Sequence, residues 1–254
     1  MGQIIAVANQ KGGVGKTTSV INLGASLAAA EKRVLLVDFD PQTNCTSGMG
    51  VTRGGDGADA YGVLSGTVSL RDAILPTELP HLFVLPGSIS LAGAEVELAG
   101  MDEREFVLRK ALQDIRDEFD YVLVDCPPSL GLLTLNALVA SDEVLIPIQA
   151  EYFAMEGVSD LLRTLERVRE GLNPGLAVRG VLLTMVDERT NLGRQVCGEV
   201  NRFFGGKVYK NMIPRNIKLA EAPSFGKPII LYDIASKGAQ CYLQVAQEFM
   251  AHER

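Results

Sequence analysis

The sequence lacks any long hydrophobic run, and its cysteines lie far apart. No apolar stretch approaches the roughly 20 residues that a membrane-spanning helix needs, and the N-terminus has no signal-peptide profile. Cys45, Cys126, Cys197 and Cys241 form no Cys-x-x-Cys pair. We therefore interpret all of them as reduced, structural thiols of a cytoplasmic protein.

An overall excess of positive charge is also absent, since the formal net charge is −7. That value alone argues against nucleic acid as a partner. The distribution differs, because the segment 189–237 holds nine basic and three acidic residues, a net charge of +6, which leaves −13 for the rest. A locally basic face can bind phosphate backbones, because affinity follows local phosphate contacts. Ordinary charge fluctuation on a solvated surface is the alternative, and composition does not decide between them.

Apolar segments of strand and helix type alternate along the 254 residues. This alternation predicts an α/β fold with three layers: a doubly wound, mostly parallel sheet with helices on both faces. There is no internal repeat, linker or low-complexity tract, so we expect residues 1–254 to form one domain.

A glycine-rich loop stands near the start of the chain, in the stretch IIAVANQKGGVGKTTS at residues 4–19. A strand, a glycine loop and a helix that opens on Lys16 and Thr17 are the pattern of a phosphate-binding P-loop. Glycines let backbone N–H groups approach phosphate oxygens closely. One position departs from the pattern, because Gln10 stands where a glycine is usual. A second lysine, Lys11, precedes the glycines instead.

Carboxylates follow two of the predicted buried strands. Residues 33–37 lead to Asp38 and Asp40, and residues 121–124 lead to Asp125. Ligands of α/β sheets bind at the carboxyl ends of the strands, so these acids favour a role around Mg2+ or an attacking water. For Asp38 and Asp40 the alternative is turn and helix-cap chemistry.

Further elements are predicted from periodicity. The predicted strands are Leu82–Leu85, 143–148 and 178–186; the predicted helices lie near 60–65, 70–75, 102–118, 153–171, Asn191–Phe204 and 236–251. The last helix has a broad apolar face and lacks the row of lysines and arginines expected of a membrane-surface helix. We expect it to pack on the core. The glycine-rich stretch 48–62 predicts a surface excursion.

The combination of KGGVGKTT, VDFDPQ and VDCPPSLG resembles the deviant-Walker ATPases of the ParA/MinD group. The segments ALVASDEVLIPIQAEYFAMEG, TMVDERTNL and IPRNIKLAEAPSFGKPIILYD are similar to the small ParA proteins of the Soj type. The resemblance covers essentially the whole chain. No helix-turn-helix region precedes the P-loop, which fits the short ParA form.

The resemblance implies a site for ATP or ADP with Mg2+. The implied nucleotide-contacting residues are Lys11, Gly12, Gly13, Val14, Gly15, Lys16, Thr17, Thr18, Pro214 and Asn216. The implied catalytic residues are Lys11, Lys16, Asp40 and Asp125, and the implied magnesium contacts are Thr17, Asp40 and Asp125. The implied DNA contacts are Arg189 and Lys218. In such proteins the lysine equivalent to Lys11 reaches the nucleotide of a partner subunit.

The function implied is a partitioning ATPase in the cytoplasm, associated with the nucleoid and not with a membrane. An ATP-bound homodimer would bind double-stranded DNA non-specifically, and a ParB-like partner would stimulate slow hydrolysis and release. One alternative is a MinD-like membrane-positioning ATPase. Others are an electron-transfer reductase resembling the nitrogenase iron protein, for which no convincing cysteine pair exists, and a relative that positions another cargo.

Overall fold

One sheet of seven strands organises the part of the chain that the computed structural model describes, residues 2–51, 57–151 and 154–251. The strands are β1 (Gln3–Val7), β2 (Val34–Asp38), β3 (Leu75–Pro76), β4 (Leu82–Leu85), β5 (Tyr121–Asp125), β6 (Glu143–Gln149) and β7 (Ala177–Thr184). Their order is β3-β4-β2-β5-β1-β6-β7, and every neighbouring pair is parallel except β3–β4. The parallel strands therefore end at one common edge, where β1, β2 and β5 bring the predicted site together.

Helices cover both faces of this sheet. They are α1 (Lys16–Ala29), α2 (Asn44–Gly48), α3 (Ala60–Leu64), α4 (Leu70–Ala73), α5 (Leu91–Leu98), α6 (Val107–Gln113), α7 (Leu132–Ala140), α8 (Glu156–Gly171), α9 (Asn191–Phe204), α10 (Ile217–Glu221), α11 (Ile229–Tyr232) and α12 (Lys237–Ala251). Each face has its own core: along β1, Ile5 and Val7 join the core of α1 and α12, whereas Ile4 and Ala6 join the core of α3–α9. The predicted fold class is confirmed.

The last helix packs on the first. The apolar face of α12 is buried in the core that it shares with α1, and Ser19 and Tyr242 share a hydrogen bond of 3.2 Å between their buried hydroxyls. The prediction that this helix docks on the core is confirmed. Within the described residues, no helix combines the length and apolar character needed to cross a bilayer.

The predicted helix over 102–118 is wrong as a single element. The chain instead forms a 3-10 turn at Arg104–Phe106, the shorter α6, and a second 3-10 turn at Arg116–Glu118. Glu103 has a φ of 54°, outside the helical region, directly before the first turn. The periodicity therefore predicted the buried face and not the interruptions.

Other boundaries differ by small amounts. Strands β2, β5 and β6 extend one residue beyond the predicted ends, and β7 ends at Thr184, two residues early. The predicted start of the helix at 153 and residues 52–56 of the glycine-rich stretch lie outside the described residues.

Candidate functional site

The segment between β1 and α1 folds as a loop in front of a helix N-terminus. Gly13 and Gly15 have φ values of 74° and 85°, in the left-handed region that residues with a Cβ rarely adopt. Helix α1 begins directly after Gly15, and no described side chain caps its first turn. The first-turn N–H groups and the helix dipole make this loop a site for a phosphate-bearing anion.

The Lys16 side chain folds back over this loop. It is buried, and its Nζ donates a hydrogen bond of 3.1 Å to the backbone carbonyl of Lys11. Burial lowers the pKa of Lys16, whereas Asp125, Cys126 and Asp40 oppose that shift. The ammonium group therefore lies beside the glycine loop and close to two carboxylates of the strand ends.

Two side chains fix the loop to neighbouring strands. The buried Asn9 amide donates to the carbonyl of Pro147 at 2.7 Å, and its Oδ1 accepts from the N–H of Lys11 at 3.0 Å. The hydroxyl of Thr184, at the end of β7, donates to the carbonyl of Val14 at 2.8 Å. The loop is thus tied to the ends of β6 and β7 by these hydrogen bonds.

Asp125 ends β5 beside the loop, and its carboxylate is fully buried. Neither oxygen has a hydrogen-bond partner at bonding distance within the described residues. Burial raises the pKa of Asp125 well above its usual range and Asp38 raises it further, while Thr17 and Lys16 oppose the shift. Because an unpaired buried carboxylate is unfavourable, a ligand that brings a cation here is stabilised.

Asp38 is the register partner of Asp125 on the adjacent strand and is equally buried. Its Oδ2 accepts two hydrogen bonds from Thr46, one from the amide at 2.8 Å and one from the hydroxyl at 2.5 Å. Its Oδ1 has no partner in the described part of the chain. Burial raises the pKa of Asp38 to about 6, although the Thr46 bonds oppose the rise.

Asp40 lies in the turn that follows β2. Its Oδ1 accepts from the N–H of Gln42 at 2.9 Å, and its carbonyl accepts from the N–H of Thr43 at 2.9 Å. The carboxylate still lies near enough to influence the pKa values of Lys16 and Asp125. Asp40 therefore stabilises its own turn, as the alternative drawn from the sequence expected. It also lies close to Lys16 and Asp125.

The oxygen atoms around Asp125 fit a magnesium ion. Magnesium prefers oxygen ligands, keeps several waters, and in nucleotide sites uses one or two carboxylates with the phosphates. Thr17, Asp40 and Asp125 offer a hydroxyl and two carboxylates, and neither oxygen of Asp125 has a hydrogen-bond partner at bonding distance among the described residues. No cluster of three or more His, Cys, Asp or Glu suited to a metal occurs in residues 2–51, 57–151 and 154–251.

Pro214 and Asn216 lie at the other end of the glycine loop. With Gly15 and Thr18 they line a cavity of about 190 Å³. Asn216 also caps α10, because its Oδ1 accepts from the N–H of Lys218 at 2.9 Å. A small cavity continuous with a phosphate loop has the location expected for the base of a nucleotide.

The Lys11 side chain is partly exposed and extends away from the loop. Its Nζ lies 4.0 Å from a carboxylate oxygen of Glu151, whose other oxygen lies 3.6 Å from the guanidinium of Arg215. Exposed ion pairs of this kind contribute about 0–1 kcal/mol. Lys11 can therefore exchange this contact for another anion at little cost.

Arg189 and Lys218 are exposed, and each pairs with a carboxylate two or three positions away in sequence. Arg189 donates from Nε and a terminal nitrogen to the two oxygens of Asp187, both at 2.8 Å. Lys218 lies 3.3 Å from Glu221. Arg189 borders a groove of about 690 Å³, whereas Lys218 is not among the lining residues although its neighbour Ile217 is. The other cationic lining residues are Lys210, Arg215 and Lys237.

Four residues that shape the site were not predicted: Asn9, Thr46, Glu151 and Thr184. Three of them, Asn9, Glu151 and Thr184, stand at or just past the ends of β1, β6 and β7. Position at the carboxyl end of a parallel strand was the available signal for these. Thr46 acts through a contact between loops, which sequence spacing does not reveal.

Comparisons with known proteins agree with this arrangement. A family model described as an AAA domain matches residues 2–178. The chain is 55% identical over 252 residues to the sporulation initiation inhibitor protein Soj of Bacillus subtilis (strain 168), covering 99% of this chain and 100% of that protein. It is 53% identical over 253 residues to the chromosome partitioning protein ParA of Myxococcus xanthus (strain DK1622), covering 100% and 89% of the two chains.

A solved structure shows the same fold. The crystal structure of cobyrinic acid a,c-diamide synthase from Mycobacterium smegmatis, with bound ADP and magnesium, matches with a TM-score of 0.87 at 39% identity. The match covers 99% of this chain and 95% of that one. A structural relative thus binds the nucleotide and the metal that the geometry fits here.

Proposed function

We propose that this chain, which belongs to the ParA/Soj family of chromosome-partitioning ATPases with an AAA domain, is a magnesium-dependent switch driven by slow ATP hydrolysis. The ATP-bound form is a sandwich homodimer that binds double-stranded DNA non-specifically. A ParB-like partner stimulates hydrolysis, and DNA is released. The observation that carries this proposal is the buried Asp125 carboxylate beside Lys16, Thr17 and the glycine loop, with no hydrogen-bond partner at bonding distance for either oxygen among the described residues.

Binding of the nucleotide uses the residues of the loop and the cavity. The backbone from Gly12 to Thr18 and the Lys16 ammonium hold the phosphates, and Pro214 with Asn216 holds the adenine. Thr17, Asp40 and Asp125 hold the magnesium ion, directly or through its waters. When bound, that ion neutralises phosphate charge.

Slow basal hydrolysis follows from the position of Asp40. Its Oδ1 accepts the Gln42 N–H at 2.9 Å, so the carboxylate is engaged in its own turn. Orienting the attacking water requires this group to face the terminal phosphate. We propose that the ParB-like partner stabilises that orientation, which accelerates hydrolysis.

Dimerisation uses Lys11. Its ammonium makes only a long contact with Glu151 within this chain, so little is lost when it moves to the phosphates of a partner's nucleotide. Two linked DNA-binding surfaces then act together, and avidity raises affinity by about 10²–10⁴. Gating of DNA binding by ATP follows from this arrangement.

DNA binding uses Arg189 and Lys218, which lie in the +6 segment. We place the protein in the cytoplasm on the nucleoid. The MinD-like alternative, a membrane-docked C-terminal helix, is less well supported, because the apolar face of α12 is buried against α1.

A DNA-binding titration with ATP, with ADP and without nucleotide tests the proposal. Two unrelated duplexes of equal length should bind equally, tightly with ATP and weakly in the other two conditions. Lys16→Ala is the control and should bind weakly in all three. Equal binding by the wild type in every nucleotide condition would contradict the switch, and preference for one duplex would contradict phosphate recognition.

A further inference from the structure

A buried hydrogen-bond chain lies behind the catalytic carboxylates and belongs to no role assigned so far. It starts at Asp38, whose Oδ2 accepts from both the amide and the hydroxyl of Thr46. The Thr46 hydroxyl accepts in turn from the N–H of Gly87 at 2.8 Å. All of these contacts are buried, so water does not compete for them.

The Thr46 hydroxyl acts both as a donor and as an acceptor in this hydrogen-bond chain. The Thr46 hydroxyl has a single hydrogen, which it donates to Asp38, and the lone pairs then accept the Gly87 N–H. A Cβ on Gly87 would lie 2.8 Å from the Cγ of Asp38. The loop after β4 therefore approaches this carboxylate so closely that only glycine fits.

The chain fixes both ends of the loop that carries Asp40. At one end, the N–H of Phe39 donates to the carbonyl of Asp125 at 3.1 Å. At the other end, Thr46 is held by Asp38 and Gly87. Between these anchors the path is short and includes Thr43 at a φ of 56°, which is unusual for a residue with a Cβ. A displacement of Thr46 is therefore transmitted to Asp40.

We propose that Asp38 and Thr46 are positioning residues for ATP hydrolysis, which hold the Asp40 loop in register with Asp125 through the bond to Gly87. This inference rests on the role proposed above for Asp40. It assigns Asp38 a function inside the protein: its carboxylate orders the loop and does not contact the metal or the nucleotide.

Thr46→Val tests the proposal, because valine keeps the shape and the backbone N–H and removes both hydroxyl bonds. We expect kcat for ATP to fall roughly tenfold to a hundredfold, as small misplacements of a catalytic group do. The KM for ATP should stay within about threefold, since the phosphate loop is untouched. Thr46→Ser, which retains the hydroxyl, should recover most of kcat.

Ser141→Ala is a matched control at the other end of the sheet. It also removes one buried hydroxyl bond, from Ser141 Oγ to the carbonyl of Ala137 at 2.7 Å. This variant should lose stability and keep the wild-type kcat. If Thr46→Val and Ser141→Ala slow hydrolysis equally, or if Thr46→Ser fails to restore it, the positioning role is overturned.

Amide hydrogen exchange is a second test of the positioning role. In Thr46→Val the Gly87 amide loses its acceptor, and we expect faster exchange there and also at Gln42. Faster exchange at Gly87 alone would overturn the link to Asp40. If the valine variant does not fold, Asp38→Asn replaces it, with a kcat expected to fall about threefold or more. Normal hydrolysis by Asp40→Ala would instead reject the proposed function of Asp40.

Discussion

The carboxylates at the strand ends are buried, whereas the basic side chains of Arg189 and Lys218 in the segment 189–237 are exposed. At the strand ends, Asp38 and Asp125 are fully buried, and three of their four carboxylate oxygens have no hydrogen-bond partner among the described residues. On the outer surface, Arg189 and Lys218 are exposed, and each faces a neighbouring carboxylate.

Because of this difference, we expect the two regions to bind phosphate groups in different ways. Buried carboxylates are not screened by salt, so the protein bears their unfavourable burial until a cation-bearing ligand relieves it. Exposed cations are screened and pair weakly, so they exchange one anion for another with little change in free energy. Nucleotide binding should therefore be strong and specific, and DNA binding weak per contact and dependent on salt.

The largest expected effect is at Lys16, whose buried ammonium group lies beside the glycine loop. Lys16→Ala removes the one ammonium group that is buried beside the loop, and we expect ATP affinity to fall by at least ~100-fold. Isothermal titration calorimetry with Mg-ATP measures it. Lys110→Ala, which removes an exposed lysine paired with Glu103, is the control and should bind normally. Retained affinity in Lys16→Ala would reject the phosphate-loop assignment.

Asp40→Ala should separate binding from hydrolysis within the same region. We expect kcat to fall by roughly 10²–10⁴, the usual contribution of a positioned acid or base, while ATP affinity changes by less than about threefold. Phosphate release under saturating ATP measures kcat. Asp102→Ala, an exposed aspartate, should be unaffected. Wild-type turnover in Asp40→Ala would remove this residue from the mechanism.

Because Asp38 is buried, the free energy of unfolding should depend on pH. Because the native pKa is raised to about 6, the native state holds this proton more tightly than the unfolded state. The associated stability is present below pH 4 and is lost as the pH rises through 6. Asp38→Asn does not titrate, so its stability relative to wild type should rise by on the order of 1–3 kcal/mol between pH 4 and 7.

Urea denaturation of nucleotide-free protein at several pH values measures this difference. Asp114→Asn, an exposed aspartate, is the control and should show no such trend. A pH-independent difference for Asp38→Asn would mean that the native carboxyl titrates with the same pKa as in the unfolded state. The same variant should hydrolyse ATP more slowly at pH values where its relative stability rises, which loss of folding cannot explain.

Substitutions on the proposed DNA-binding surface should each have a small effect, equal for different DNA sequences. Arg189→Ala and Lys218→Ala should each weaken binding a few-fold, equally for unrelated sequences, and reduce the slope of log affinity against log salt by about 1. Asp187→Asn, which releases Arg189 from its partner, should strengthen binding. Arg71→Ala, an exposed arginine outside the basic segment, is the control. A sequence-dependent loss would contradict a phosphate contact.

The smallest expected effect is the titration of Asp187. Hydrogen bonds from Arg189 lower the pKa of Asp187 to about 2. This pair contributes to stability above the ordinary carboxyl pKa of about 4, and the contribution disappears as the pH falls through 2. In Arg189→Ala the carboxyl chemical shift should titrate near its ordinary pKa, with only a small fall in the unfolding midpoint at pH 7 because the pair is exposed. An unchanged titration would mean that Asp187 and Arg189 do not pair in solution.

Much of the fold could be predicted, because parallel strands buried on both faces are continuous apolar runs. The predicted strand ends therefore lie within two residues of those observed, and Asn191–Phe204 agrees at both ends. Helix α7 was not predicted because its sequence, LLTLNALVA, is apolar on nearly every side and has no period. Val208 and Pro214 each form an isolated bridge, with Val181 and Val186 respectively.

The site was predictable only where its chemistry is local in sequence. The glycine loop and the acids after β2 and β5 are motifs of adjacent residues, so a single pass along the chain finds them. The bond from Gly87 to Thr46 joins residues 41 positions apart, and the bond from Thr184 to Val14 joins residues 170 apart. Such contacts depend on how the strands are ordered in the sheet, which hydrophobic pattern alone does not specify.

The hydrogen bond between Ser19 and Tyr242 has a consequence for the synthesis of the protein. The two residues are 223 positions apart, and at about 5–20 residues per second a ribosome needs on the order of 10–40 s to cover that distance. During this interval the apolar residues of α1 that face α12 have no cover. Helix α1 is therefore synthesised long before the helix that covers it.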